Sequence, residues 1–261
     1  MVQGTQALGK DRRMNRVKGK VALVTGGASG LGAADARLLA AEGAQVVITD
    51  VQAELGREVA ASIPGALFLE HDVRDEDQWR AVVAGTMDRF GRLDVLVNNA
   101  GLVRFGHVEE CDLATFRLQM QVMVEGCFLG CHTALPHMTK GGGGSIVNVA
   151  SVAALKGISA IPAYSAAKAG IIALTRSVAV HCLEQDYRIR VNAIAPGAHD
   201  TPMTQSALAE LPADNAGLDQ VNARGQGTPQ DVANLVLFLA SEESRQITGT
   251  HIVIDNGETA A

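Results

Sequence analysis

Short apolar runs rich in β-branched residues alternate along the chain with longer stretches whose apolar positions recur every three or four residues. The runs are VALVT from Val21, QVVITD from Gln45, ALFLE from Ala66, DVLVNN from Asp94, SIVNVA from Ser145, IRVNAIAP from Ile189 and HIVID from His251. They are apolar at successive positions, as expected of strands covered on both faces. Parallel neighbours need a long crossover, and the intervening helical stretches supply it. The pattern predicts an α/β fold: one doubly wound, seven-stranded parallel sheet with helices on both faces.

One helical stretch, QMQVMVEGCFLGC (119–131), puts Met120, Met123, Val124, Cys127, Phe128 and Cys131 on one apolar face. The four glycines from Gly141 to Gly144 read as a turn before a strand, because no change of composition divides the chain there. The expected organisation is a flexible N-terminal tail over 1–16 and a single domain over 17–261. Within it the segment 203–227, rich in Ala, Gly, Asn and Gln, reads either as a mobile lid over a substrate or as a plain surface loop.

With 261 residues, 47% of them hydrophobic, the chain can bury one substantial core. A net charge of −6 disfavours a nucleic-acid partner, which would need clustered Lys and Arg. Cys111, Cys127, Cys131 and Cys182 form no CxxC pair; Cys127, Cys131 and His132 are read as packing in preference to a metal site, so no metal is expected. The opening 16 residues lack the apolar core of a signal peptide, and no run is read as approaching the roughly 20 apolar residues of a membrane span. The expectation is a soluble, cytoplasmic protein without a membrane partner.

The first strand runs into TGGASGLG, where Gly26, Gly30 and Gly32 open a helix. Glycines there let the backbone turn tightly and approach a pyrophosphate, whose charge meets free amides at a helix N-terminus. Asp50 ends the second strand about 20 residues beyond Gly30, the spacing of an acid that binds an adenosine ribose. Its carboxylate would accept from both ribose hydroxyls and repel a 2′-phosphate, while Ser29 and Val51 offer no cation to such a phosphate. The expected cofactor is NAD, with a solvated strand-end charge as the alternative for Asp50.

The chain resembles the short-chain dehydrogenase/reductase family through TGGASGLG, NNAG (98–101), YSAAK (164–168) and PGAHDTPM (196–203), in that order, from about Val17 onward. The family's fold is the Rossmann-type sheet already expected. Tyr164 and Lys168 are four apart and would share a helix face, where an ammonium and the helix N-terminus favour a phenolate. The resemblance implies Tyr164 as acid/base, Ser151 as anchor of the substrate oxygen, and Lys168 as the group that tunes the tyrosine and holds the nicotinamide ribose. It further implies Ser29 and Leu31 in the glycine turn, and Asp72 and Val73 beside the adenine. Asn99, Ala100 and Gly101 would lie near the second ribose, and Pro196, Gly197 and Thr201 near the carboxamide. Asp72 could instead cap the following helix, and Asn99 could serve only the sheet edge. At Met123 the chain departs from the family, which usually has an asparagine there that completes a tetrad. Activity is expected to survive, since the backbone carbonyl can still hold the relay water while the side chain's part in a helix kink is lost.

The segment VAALKGISAIPA (152–163) carries Lys156 as its only charge, and Gly197 and Ala198 are small. Walls of that kind favour a bulky, uncharged ring; the same residues could instead pack against a neighbouring subunit. The motifs look most like those of bacterial NAD-dependent hydroxysteroid dehydrogenases, with cyclic or aryl secondary-alcohol dehydrogenases close behind. The implied reaction is reversible hydride transfer between NAD and a small apolar alcohol or its ketone. Alternatives are a 3-oxoacyl thioester reductase, disfavoured by Asp50, and a non-catalytic NAD-binding protein, suggested by Met123. A homotetramer is implied through helices near Leu113 to His137 and Pro162 to Leu183, although burial on the sheet would give them the same apolar faces.

Overall fold

A computed structural model of the chain describes residues 15–209 and 225–260. The strands are β1 (Val21–Thr25), β2 (Gln45–Asp50), β3 (Leu67–Glu70), β4 (Val95–Asn98), β5 (Gly144–Val149), β6 (Ile189–Pro196) and β7 (His251–Ile254). They match the apolar runs to within a residue or two at each end. All pair in parallel, in the order β3-β2-β1-β4-β5-β6-β7. The fold is therefore the expected Rossmann-type α/β sheet.

Eight helices accompany the strands among the described residues: α1 (Gly30–Ala41), α2 (Ala53–Ala61), α3 (Glu76–Phe90), α4 (Leu113–Met120), α5 (Gly126–Lys140), α6 (Pro162–Glu184), α7 (Pro202–Ala209) and α8 (Pro229–Ala240). Two buried clusters result. Trp79, Met123, Cys131, Met138 and Ile171 bring α3 to α6 onto one face of the sheet, while Ala36, Leu39, Val59, Val236 and Leu237 bring α1, α2 and α8 onto the other. The central strands are buried on both sides, which is why their sequences do not alternate.

Strands β1 to β3 build outward in one direction, and the chain then returns to place β4 on the other side of β1. The loops leaving β1 and β4 diverge at this reversal, and open α/β sheets bind ligands in the crevice that forms there.

Three expectations need correction or placement. Helix α6, with 23 residues, is by length and composition apolar enough to cross a membrane, contrary to the sequence reading. Ala167, Ile171 and Ala179 are buried against the sheet with Lys168 among them, while Val180 and Leu183 are exposed. The buried stripe of residues 119–131 is narrower than expected: Met123, Cys127 and Cys131 are inside, whereas Phe128 is half exposed and stacks on His132. Residues Gln121–Glu125 form a π-helical turn between α4 and α5, so the kink is present with Met123 at its centre.

Most of the expected lid, 210–224, lies outside the described residues. At its near side α7 covers the first part, and Gly227 at its far side is clasped to the loop before α7 through Gly227 N–H to Ala198 O (3.0 Å) and Asp200 N–H to Gly227 O (2.8 Å). Residues 1–14 of the expected tail also lie outside the described residues, while Arg16 donates its N–H to Glu42 (3.1 Å) and pairs with Glu243.

Candidate active site

The glycine turn is held from two sides. Gly26 has φ +64°, and a Cβ there would stand 2.8 Å from Ala100 Cα. Asn99 donates its amide to Thr25 O (2.9 Å) and Gly26 O (3.0 Å), while Thr25 Oγ1 accepts from the N–H groups of Asn99 and Ala100, both at 3.1 Å. Asn99 thus does more than finish a sheet edge: it locks the end of β4 to the turn after β1. Gly32 packs beneath, where a Cβ would stand 2.4 Å from Gly26 O.

Asp50 is buried at the end of β2, with Oδ2 accepting from Ala28 N–H (3.0 Å) and Oδ1 from Gln52 N–H (2.9 Å). Those bonds fix the carboxylate beside the glycine turn, so the solvated-charge alternative does not describe it. Asp72 pairs with Arg74, whose guanidinium holds its carboxyl below the usual range. Capping of α3 falls instead to Asp75, which accepts from Asp77 N–H (2.9 Å) and Gln78 N–H (3.0 Å).

A cleft of about 770 Å³ opens at the carboxyl ends of the strands. It is lined by Gly26, Ser29, Gly30, Leu31 and Asp50, by Asp72, Val73, Asn99, Ala100 and Gly101, and by Ser151, Tyr164, Lys168, Pro196, Gly197 and Thr201. Among the site residues expected from sequence, Gly32 alone is missing from that lining, being the floor under Gly26.

Tyr164 sits in the first turn of α6 behind Pro162, and Lys168 follows one turn later with its Nζ 5.5 Å from the phenol ring centroid. Ser151 caps the short turn after β5, accepting from Ala153 N–H (3.2 Å) and donating to Pro196 O (3.5 Å), and it lines the cleft with Tyr164. Lys168 donates to Val149 O at 2.7 Å. The expected tilt toward phenolate does not hold in this arrangement. Burial pushes the Tyr164 phenol up, against the Ser151 hydroxyl that pulls it down, while the Lys168 ammonium lies over the ring and donates to a carbonyl. Tyr164 is held as a protonated phenol, which suits donation to a ketone oxygen.

The same burial brings Lys168 down from 10.5 to about 8. In the window between those values the unfolded chain holds a proton that the folded chain releases, so this group's contribution to stability increases as pH rises through it. The melting temperature of the wild type minus that of Lys168→Met is expected to grow between pH 8 and 10. A pH-independent difference would mean that the amine reaches water.

The walls near the reacting groups differ from those expected. Residues 152–163 do not line the cleft; Leu102, Val103, Arg104, Phe105, Leu118, Val122 and Met203 do. Lys156 is turned toward Glu258, with which it pairs at 2.5 Å. Ala198 is not in the lining either, whereas His199 is, its Nδ1 sitting 3.0 Å from Gly197 O.

A family profile described as enoyl-(acyl carrier protein) reductase matches residues 26–259. The chain belongs to the short-chain dehydrogenase/reductase family. Among its relatives is trans-4-hydroxycyclohexanecarboxylate dehydrogenase of Sinomonas cyclohexanicum, 42% identical over 95% of this chain and 96% of that one. Another is 3-beta-hydroxysteroid dehydrogenase of Comamonas testosteroni, 42% identical over 93% of this chain and 96% of that one. The crystal structure of levodione reductase superposes with a TM-score of 0.89 at 36% identity, covering 94% of this chain and 99% of that one. The chain is thus an oxidoreductase of a family whose dehydrogenases use nicotinamide cofactors.

Several residues of this short-chain dehydrogenase/reductase site escape a sequence reading. Thr25 is the shared acceptor that joins β1 to the β4 loop, and its only signal is its place before the first glycine. His71, whose Nδ1 lies 3.1 Å from Thr49 Oγ1, lines the cleft and packs edge-on against Trp79. Burial lowers its pKa to about 4, so it stays neutral. Met123 lies where a Cβ on Gly101 would also meet Lys168 Nζ, at 3.7 and 3.6 Å respectively, so it packs close to the Lys168 amine.

Proposed function

We propose that this chain interconverts a cyclic secondary alcohol and its ketone by hydride transfer to and from NAD(H). The convergence of Ser151, Tyr164 and Lys168 on one cleft with the glycine turn carries this reading. When bound, the nicotinamide supplies the acceptor and donor of hydride. The glycine turn has the cradle for its pyrophosphate, since side chains at Gly26 or Gly32 would collide with backbone. Asp50 supports NAD over NADP: its carboxylate is fixed where ribose hydroxyls would donate to it, Val51 beside it is neutral and exposed, and Arg74 on that wall is engaged by Asp72.

In the reductive direction Ser151 orients the ketone oxygen and Tyr164 gives it a proton; in the oxidative direction the phenolate takes that proton from the carbinol. Lys168 keeps the tyrosine ring in place and presents its amine beside Gly101, where the ribose would lie. The apolar walls from Leu102 to Val122 suit an alicyclic or steroid-like body, the substrate class printed in the names of both curated relatives.

The test is steady-state turnover of a panel of cyclohexanols and 3-hydroxysteroids with NAD and NADP side by side. We expect kcat/KM with NAD to exceed that with NADP by about 100-fold, some 2.7 kcal/mol, and Asp50→Ala to narrow the ratio. Tight NADH binding with no alcohol turned over would leave a binding protein. Turnover confined to 3-oxoacyl thioesters with NADPH would favour the acyl reductase.

A further inference from the structure

We infer that Arg104 makes the site selective for a ring that carries a carboxylate, so that the substrate is an alicyclic hydroxy or keto acid. This inference rests on the dehydrogenase reading above and specifies its substrate.

Arg104 lies on the cleft wall in the segment that follows Gly101, with apolar Val103, Phe105, Leu118 and Val122 on the same wall. Its side chain is exposed, so the guanidinium stands at the edge of that apolar wall where a ligand entering the cleft can reach it. The other cations of the cleft are occupied: Arg74 is paired with Asp72, and Lys168 is buried and bonded to Val149 O. Among the described residues no carboxylate pairs with Arg104; its Nη1 donates to Val103 O at 2.9 Å, and the rest of its five-donor fork is available for a planar anion.

The residue is also built into position. Gln119 is fully buried, and it spends both ends of its amide on the Arg104 backbone: Oε1 accepts from Arg104 N–H at 3.2 Å, and Nε2 donates to Arg104 O at 3.5 Å. Gly106 N–H donates to Ala160 O at 2.9 Å, tying the same loop a second time. A loop crossing the mouth of a cleft would otherwise satisfy its backbone with water. Fixing it with a buried amide lowers the cost of aiming a long, flexible cation. The apolar walls would take the ring, and the fork its carboxylate. Arg104 is a binding residue in this scheme and Gln119 a positioning residue.

The experiment is a calorimetric titration of the protein saturated with NADH, using cyclohexanecarboxylate and cyclohexanecarboxamide, which share a shape and differ in charge. The acid is expected to bind at least tenfold more tightly than the amide. Arg104→Met should erase that preference, and Arg104→Lys should retain part of it. Gln119→Leu, which leaves the charge in place, should weaken the acid selectively. Acid and amide binding alike, or failing alike, overturns the proposal, as does an acid preference that survives Arg104→Met. Neither ligand has a carbinol to oxidise, so the two readings fail separately. Turnover of neutral cyclohexanol without acid preference sinks only the carboxylate site, whereas acid preference without turnover of any alcohol sinks only the dehydrogenase.

Discussion

Tyr164→Phe is expected to lower kcat by at least a thousandfold while leaving NADH affinity within about threefold. The substitution removes one oxygen and keeps the ring, so the stacking of Lys168 over it survives and the first turn of α6 has no reason to move. What is lost is the hydroxyl that, beside Ser151 in the cleft, would exchange a proton with the substrate oxygen. A thousandfold corresponds to about 4 kcal/mol of barrier, within reach of a positioned acid/base that water cannot replace. Because burial raises the phenol, the loss is expected to be uneven with pH. The protonated group is present throughout the neutral range for reduction, whereas oxidation needs the scarcer anion and should quicken as pH rises. Rapid-quench measurement of ketone reduction and alcohol oxidation by the wild type and the variant tests both statements. A variant retaining a tenth of wild-type turnover would assign the proton transfer to another group.

What could be read from sequence followed from backbone constraints. Unalternating strands such as VALVT allow one arrangement, buried on both faces, and the glycines of TGGASGLG mark where side chains are forbidden; both are local. The acid at the end of β2 was legible because strand length and crossover length fix its distance from the turn. The side-chain partners between distant segments were not legible. Nothing near Gln119 says that its amide will hold Arg104, and the apolar segment 152–163 looked like a pocket wall only because it follows Ser151. The direction of the Tyr164 shift was misjudged for a related reason. A spacing of four predicts that Lys168 shares the tyrosine's face, which it does, but cannot say that its ammonium will bond to Val149 O while burial acts on the phenol.

Gly32→Ala is expected to weaken NADH binding by at least 100-fold, about 2.7 kcal/mol, although alanine in a helix is ordinarily the more stable choice by roughly 0.5–1 kcal/mol. The propensity gain is outweighed because the new Cβ would stand 2.4 Å from Gly26 O and 2.5 Å from Asn99 Nδ2, and neither atom can retreat independently. Gly26 O accepts from that same amide, and Asn99 N–H is bonded to Thr25 Oγ1, so displacing one shifts the turn, the start of α1 and the β4 loop together. The cleft would lose the close backbone approach that a pyrophosphate needs, while Ser151, Tyr164 and Lys168, carried by β5 and α6, stay in register. Gly85→Ala in α3 is the matched comparison: its Cβ meets only Leu69 Cδ1, at 3.4 Å, and there the propensity gain should appear as a small rise in melting temperature with NADH binding intact. Fluorescence titration of NADH into the two variants separates a steric cradle from a general effect of added volume. If Gly32→Ala binds within threefold of wild type, the floor of the turn is not what shapes the cofactor site.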